Sequence, residues 1–132
     1  MKEDGKGLEM PPESDQVPAV RDGRVASGPG AFSVHPEQVD GVYRLRVRGE
    51  LDLATRHSMM DELKRAEASE AKRILLDLSD LTFIDSTGLA ILVEAHRRSA
   101  TDGRRLSFLP VDGQVRRMFE LTGIMQVLDF SD

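Results

Sequence analysis

The run Ile74-Leu75-Leu76-Asp77-Leu78 restricts the fold more than any other stretch of this sequence. It is short, apolar without strict alternation and bounded by polar residues, the pattern of a strand buried on both faces in a parallel sheet covered by crossover helices. The flanking segments agree. Thr55 to Ala68 places Met59, Met60, Leu63 and Ala66 at helical spacing, with charges on the other face and Asp52 or Thr55 positioned to cap its free amides. Leu89, Leu92, Val93 and His96 mark a second amphipathic helix, with Glu94 and Arg98 spaced for an i,i+4 pair and Asp102-Gly103 as its stop.

The rest of the chain extends this unit in both directions. Phe32-Ser33-Val34-His35 alternates, the Asp40-Gly41 turn follows, and Val42, Leu45 and Val47 continue as a second strand to Gly49, which together describe a hairpin. Leu106-Ser107-Phe108-Leu109-Pro110 predicts another strand, and Val115, Met118 and Phe119 a short helix between Asp112 and Gly123. Ile124 to Phe130 predicts a last strand. The order ββαβαβαβ is that of an α/β fold: a mostly parallel mixed sheet of about five strands, entered by an antiparallel hairpin, with about three helices. Residues 1–30 are polar and broken by Pro11, Pro12, Pro18 and Pro29 and by several glycines, with no sustained period. They predict a disordered tail ahead of one domain over 31–132.

Composition removes several function classes. With 18 Lys plus Arg against 23 Asp plus Glu, no Trp and one Tyr, the chain offers neither a basic stripe nor stacking aromatics for nucleic acid. It has no Cys, which excludes a disulfide scaffold and a thiolate metal site. No apolar run approaches the roughly 18 residues of a membrane helix and no secretory leader stands at Met1, so a soluble, cytoplasmic protein is expected. Phosphate-cradling glycine loops are missing, and His35, His57 and His96 lack metal-ligand spacing, so neither a cofactor nor a metal is expected. Ser86 lacks the flanking glycines of a nucleophile elbow, which leaves a small Ser86-dependent hydrolase as a remote alternative.

The stretch Leu81-Thr82-Phe83-Ile84-Asp85-Ser86-Thr87-Gly88-Leu89 lies between the buried strand and the second helix, where open α/β sheets build sites. Asp85, Ser86 and Thr87 are all capping types, and by type alone they start the helix. Gly88 in the first turn costs roughly 1 kcal/mol against Ala, which points to backbone close approach, of a partner among others, or to access to the neighbouring hydroxyls. The second constellation, Gly49-Glu50-Leu51-Asp52-Leu53, ends a strand. If that strand runs parallel beside Ile74 to Leu78, Asp52 and Asp85 emerge at one sheet edge, two carboxylates beside two hydroxyls. An acid/base pair would need a pocket that the sequence does not show, so capping is the simpler role.

Gly49-Glu50-Leu51-Asp52, then Leu81 to Leu89, then Val115-Arg116-Arg117-Met118-Phe119-Glu120-Leu121-Thr122-Gly123-Ile124 together resemble the STAS domain of bacterial anti-sigma factor antagonists, over roughly Phe32 to Phe130. The resemblance implies a partner-switching regulator of transcription without catalytic activity. The unphosphorylated antagonist binds a serine-kinase-type anti-sigma factor and frees the sigma factor; the kinase phosphorylates Ser86 with ATP, and a separate serine phosphatase reverses it. Asp52, Asp85, Ser86, Thr87 and Gly88 are the partner-binding residues it implies. A STAS scaffold that is never phosphorylated, or a subunit of a larger complex, is the alternative within the same fold.

Overall fold

The computed structural model describes residues 31–131, so the tail expected over 1–30 lies outside the described residues. Strands β1 (Ser33–Val39) and β2 (Val42–Leu51) form the expected hairpin. Asp40 and Gly41 both sit at positive φ, 52° and 81°, the backbone that a two-residue turn matching strand twist requires. Helix α1 (Arg56–Ala68) follows, then β3 (Arg73–Ile84), α2 (Ser86–Asp102), β4 (Arg105–Phe108) and α3 (Gly113–Thr122). The sheet order is β1-β2-β3-β4, antiparallel only at the hairpin and parallel across β2-β3 and β3-β4. The run is an interior strand of a mixed sheet, as expected, but not apolar and buried on both faces: Ile74, Leu76 and Leu78 are buried, whereas on the other face Leu75 is half-buried and Asp77 is held by Arg44.

The two faces of the sheet differ sharply. Tyr43, Leu45 and Val47 of β2, Ile74, Leu76 and Leu78 of β3, and Leu106 and Phe108 of β4 are buried under the helices, where they meet Met59, Leu63 and Ala66 of α1 and Leu89, Leu92 and Ala95 of α2. The alternate residues of β2, Arg44, Arg46 and Arg48, face the other way. There Asp77, only 4% exposed, accepts from Arg44 at 2.6 Å and from the Ser79 hydroxyl at 2.6 Å. Burial pushes the Asp77 carboxyl up, but the hydrogen bonds from Ser79 and Arg44 outweigh it and hold the group below its ordinary range.

Two expectations change. Ile124 to Phe130 is not a strand: Ile124–Gln126 is one turn of 3₁₀ helix, and a single parallel bridge, Phe108 to Phe130, represents the fifth strand. Ile124 and Leu128 are buried while Val127 is exposed, so the segment follows helical rather than alternating spacing, and Phe130 packs between Phe108 and Phe119. The bridge is nonetheless firm, with Phe108 N–H donating to Asp129 O at 2.8 Å and Ser131 N–H to Phe108 O at 2.7 Å. Arg98 does not pair with Glu94. It clasps Glu67 of α1 with Nε at 3.1 Å and Nη2 at 2.9 Å, while Glu94 takes Arg97 at 2.7 Å. Arg104 then donates to the carbonyls of Ala66, Glu67 and Ser69, closing the end of α1 as a cation does well.

Candidate functional site

Two strand-to-helix junctions meet at one edge of the sheet, because Leu51 at the end of β2 pairs with Ile84 at the end of β3 in parallel register. Near this edge the register shifts between Arg46 and Arg48 and again between Gly49 and Glu50, irregularities of the kind that re-aim a strand end. Gly49 takes φ 96° there, and its carbonyl accepts from the Thr82 hydroxyl at 3.1 Å. The Asp85 N–H donates to Leu51 O at 3.2 Å, tying one junction to the other. Asp52 and Asp85, the residues following the paired Leu51 and Ile84, therefore emerge side by side, as the sequence predicts.

The β2-to-α1 junction spends its polar groups on itself. Asp52 Oδ1 accepts from the amides of Ala54 at 3.0 Å and Thr55 at 3.2 Å and from the Thr55 hydroxyl at 3.2 Å. That hydroxyl also reaches Glu50 O at 2.8 Å. This is a side-chain turn that leads into the helix; Thr55 holds the cap position without donating or accepting a capping bond to the helix.

The β3-to-α2 junction is shorter. One extended residue, Asp85, separates strand from helix, and its Oδ1 accepts from Gly88 N–H at 3.0 Å while its carbonyl takes Leu89 N–H at 3.0 Å. Asp85 is thus the cap, and Ser86 and Thr87 are spared that duty. Ser86 is exposed at the first helical position, Thr87 is half-buried behind it, and neither amide has a hydrogen-bond partner among the described residues. Two large apolar side chains, Leu53 at 65% and Phe83 at 41% exposure, stand open on the same two junctions.

Gly88 makes the close backbone approach expected of it, but toward the strand ends of its own chain. It is buried, and a Cβ there would lie 2.7 Å from Ile84 Cγ1 and 2.9 Å from both Leu51 Cγ and Leu51 O. Its missing side chain lets α2 sit against the ends of β2 and β3, and does not open a path for a partner from solvent.

A groove of about 520 Å³ runs from this edge between α1 and α2. Arg56 and Thr87 stand at its head, Met60, Ala90 and Ile91 line it, and the Arg98–Glu67 pair crosses its far end. Sequence reading missed it, because its walls come from two helices whose facing is a tertiary fact. The histidines sit apart, on β1, α1 and α2, and no group of three or more potential metal ligands occurs among the described residues. Among those residues no helix is long and apolar enough to cross a membrane.

Comparison with known proteins places these features in a family. The STAS domain model matches residues 33–132. An anti-sigma-B factor antagonist of Staphylococcus aureus is 27% identical over 93 residues, covering 70% of this chain and 86% of that protein. An anti-sigma F factor antagonist of Paenibacillus polymyxa is 25% identical over 102 residues, covering 76% and 87%. Among solved structures, an anti-sigma factor antagonist from Mycobacterium paratuberculosis superposes with a TM-score of 0.70 at 25% identity, covering 80% of this chain and 89% of that one.

Proposed function

The chain belongs to the STAS domain family, and we propose that it acts as an anti-sigma factor antagonist, a cytoplasmic regulatory protein without catalysis or cofactor of its own. In this reading it binds a serine-kinase-type anti-sigma factor, is switched off when that kinase phosphorylates Ser86, and is restored by a serine phosphatase. The observation that carries the reading is the Ser86 hydroxyl, exposed at the first position of α2 and relieved of capping by Asp85, at an edge that also exposes Leu53 and Phe83. Exposed apolar side chains rimmed by polar groups are what a docking partner covers. The curated relatives, named as antagonists of anti-sigma factors, support the same partner class.

Electrostatics makes the switch intelligible. A phosphate adds about −1.5 to −2 charge, which a helix N-terminus favours by only about 0.3 to 1 kcal/mol. Two unit charges roughly 5 Å apart at an effective dielectric near 20 repel by about 3 kcal/mol, so Asp85 beside a modified Ser86 outweighs the dipole. Modification then spoils a complementary surface without refolding the domain.

Incubation with a cognate anti-sigma kinase and ATP, followed by mass spectrometry, tests the reading. Phosphate is expected on Ser86, to disappear in Ser86→Ala and to persist in Thr87→Ala. Ser86→Asp is expected to weaken kinase binding. Normal phosphate uptake by Ser86→Ala, or unchanged binding by Ser86→Asp, sinks the switch and leaves the unphosphorylated scaffold in its place.

A further inference from the structure

We propose that Arg56 is the internal receptor for a phosphate on Ser86, drawn across the head of the α1/α2 groove when the serine is modified. The inference rests on the reading of Ser86 as a phosphate acceptor and assigns the residue that answers the new charge. Arg56 is the first residue of α1 and Thr87 the second of α2; both line the groove, and Ser86 directly precedes Thr87 in the first turn of α2. Both helices follow neighbouring parallel strands, and packed helices lie about 8–10 Å apart, a gap that an arginine and a phosphoserine reaching toward each other can span.

Charge at this edge singles Arg56 out. The other ionisable residues of the two junctions are Glu50, Asp52 and Asp85, all acidic, with His57 next along α1. Down the groove, Arg98 is held by Glu67, and Arg97, outside the lining, by Glu94, whereas Arg56 has no ion-pair partner among the described residues. Lys64 lies two turns further along α1. Among the described residues, a phosphate repelled by Asp85 therefore finds one nearby cation, and a guanidinium offers the planar fork that binds phosphate oxygens in pairs. Neutralising Arg56 and moving it over Thr87 rearranges the surface that a partner meets, in addition to recharging it.

The test installs phosphoserine at position 86 of the full chain during synthesis, so that whether any kinase acts on Ser86 is a separate question. Phosphorus NMR then follows the second ionisation of the phosphate, ordinarily near pH 6. A cation at hydrogen-bond distance favours the dianion, so Arg56→Gln is expected to raise that pKa by about one pH unit relative to the parent. Arg56→Lys, which keeps the charge, restores most of the difference. Arg97→Gln, eleven residues along α2 and on the order of 16 Å away, should leave the value within about 0.2. In the unsubstituted chain, the Arg56 Nε resonance is expected to move on phosphorylation while that of Arg97 stays. Equal effects of Arg56→Gln and Arg97→Gln, or an Arg56 resonance indifferent to the phosphate, overturns the proposal.

Discussion

The two junctions at the sheet edge start from similar residue types and reach different ends. After β2, the side chains of Asp52 and Thr55 and the amides of Ala54 and Thr55 close on one another, and the helix begins only after the turn is complete. After β3, one aspartate caps the helix directly, and the hydroxyl beside it is left facing solvent. The difference lies in length. A four-residue connection has room to satisfy itself, whereas a one-residue connection must use Asp85 as cap and leans on Leu51 O for its remaining N–H. The second junction therefore depends on the end of β2, through Leu51.

The largest test of that dependence is Gly88→Leu. Overlap with Leu51 and Ile84 at 2.7 to 2.9 Å cannot be relieved by one side chain, so thermal melting is expected to show a loss of about 3 kcal/mol or more. A variant that melts normally would mean that the junctions are not in close contact. Asp85→Ala removes the cap and should cost about 1 to 2 kcal/mol by denaturant titration, and hydrogen exchange should quicken at Gly88.

Arg44→Met probes the opposite side of the sheet, away from both junctions, and should cost about 1 kcal/mol at neutral pH. Because the folded Asp77 carboxyl lies below its ordinary value, its stabilisation is present at neutral pH and lost as pH falls through the folded pKa. Removing Arg44 raises that folded value, so the variant should unfold at a higher pH in an acid titration. An unchanged acid midpoint would show that Ser79 alone holds the carboxylate.

Asp52→Ala opens the self-contained turn for about 1 kcal/mol or less while leaving the exposure of Ser86 unchanged. The smallest effect on stability belongs to Ser86→Ala, within about 0.5 kcal/mol, because Asp85 rather than Ser86 caps the helix. A loss near 2 kcal/mol would return Ser86 to a structural role and erase the contrast between the junctions.

What could be read in advance was whatever depends on local period. β3 announced itself by an apolar run, α1 and α2 by their stripes, the hairpin by Asp40-Gly41, and the convergence of Asp52 and Asp85 followed from parallel pairing alone. What could not be read depends on which neighbour arrives. Arg98 has Glu94 one turn away in sequence but meets Glu67 on another helix in better geometry. Gly88 advertises a need for smallness without saying from which side, and Leu51 supplies the answer from a strand 37 residues earlier. The segment from Ile124 to Phe130 has enough apolar residues for a strand, yet only the placement of Phe130 between two other phenylalanines shows how little of it joins the sheet.

The bridge between Phe108 and Phe130 also bears on how copies of this molecule could associate. By occupying the outward N–H and C=O of Phe108, the last residues blunt the β4 margin, and Pro36 interrupts the donor row of the β1 margin. Endless stacking of sheets into a filament needs two complementary margins on each copy, one to give and one to receive. With Phe108 bridged and Pro36 lacking an N–H, neither margin offers a full row of backbone donors and acceptors to another copy. The C-terminal bridge thereby covers backbone groups that would otherwise template edge-to-edge pairing.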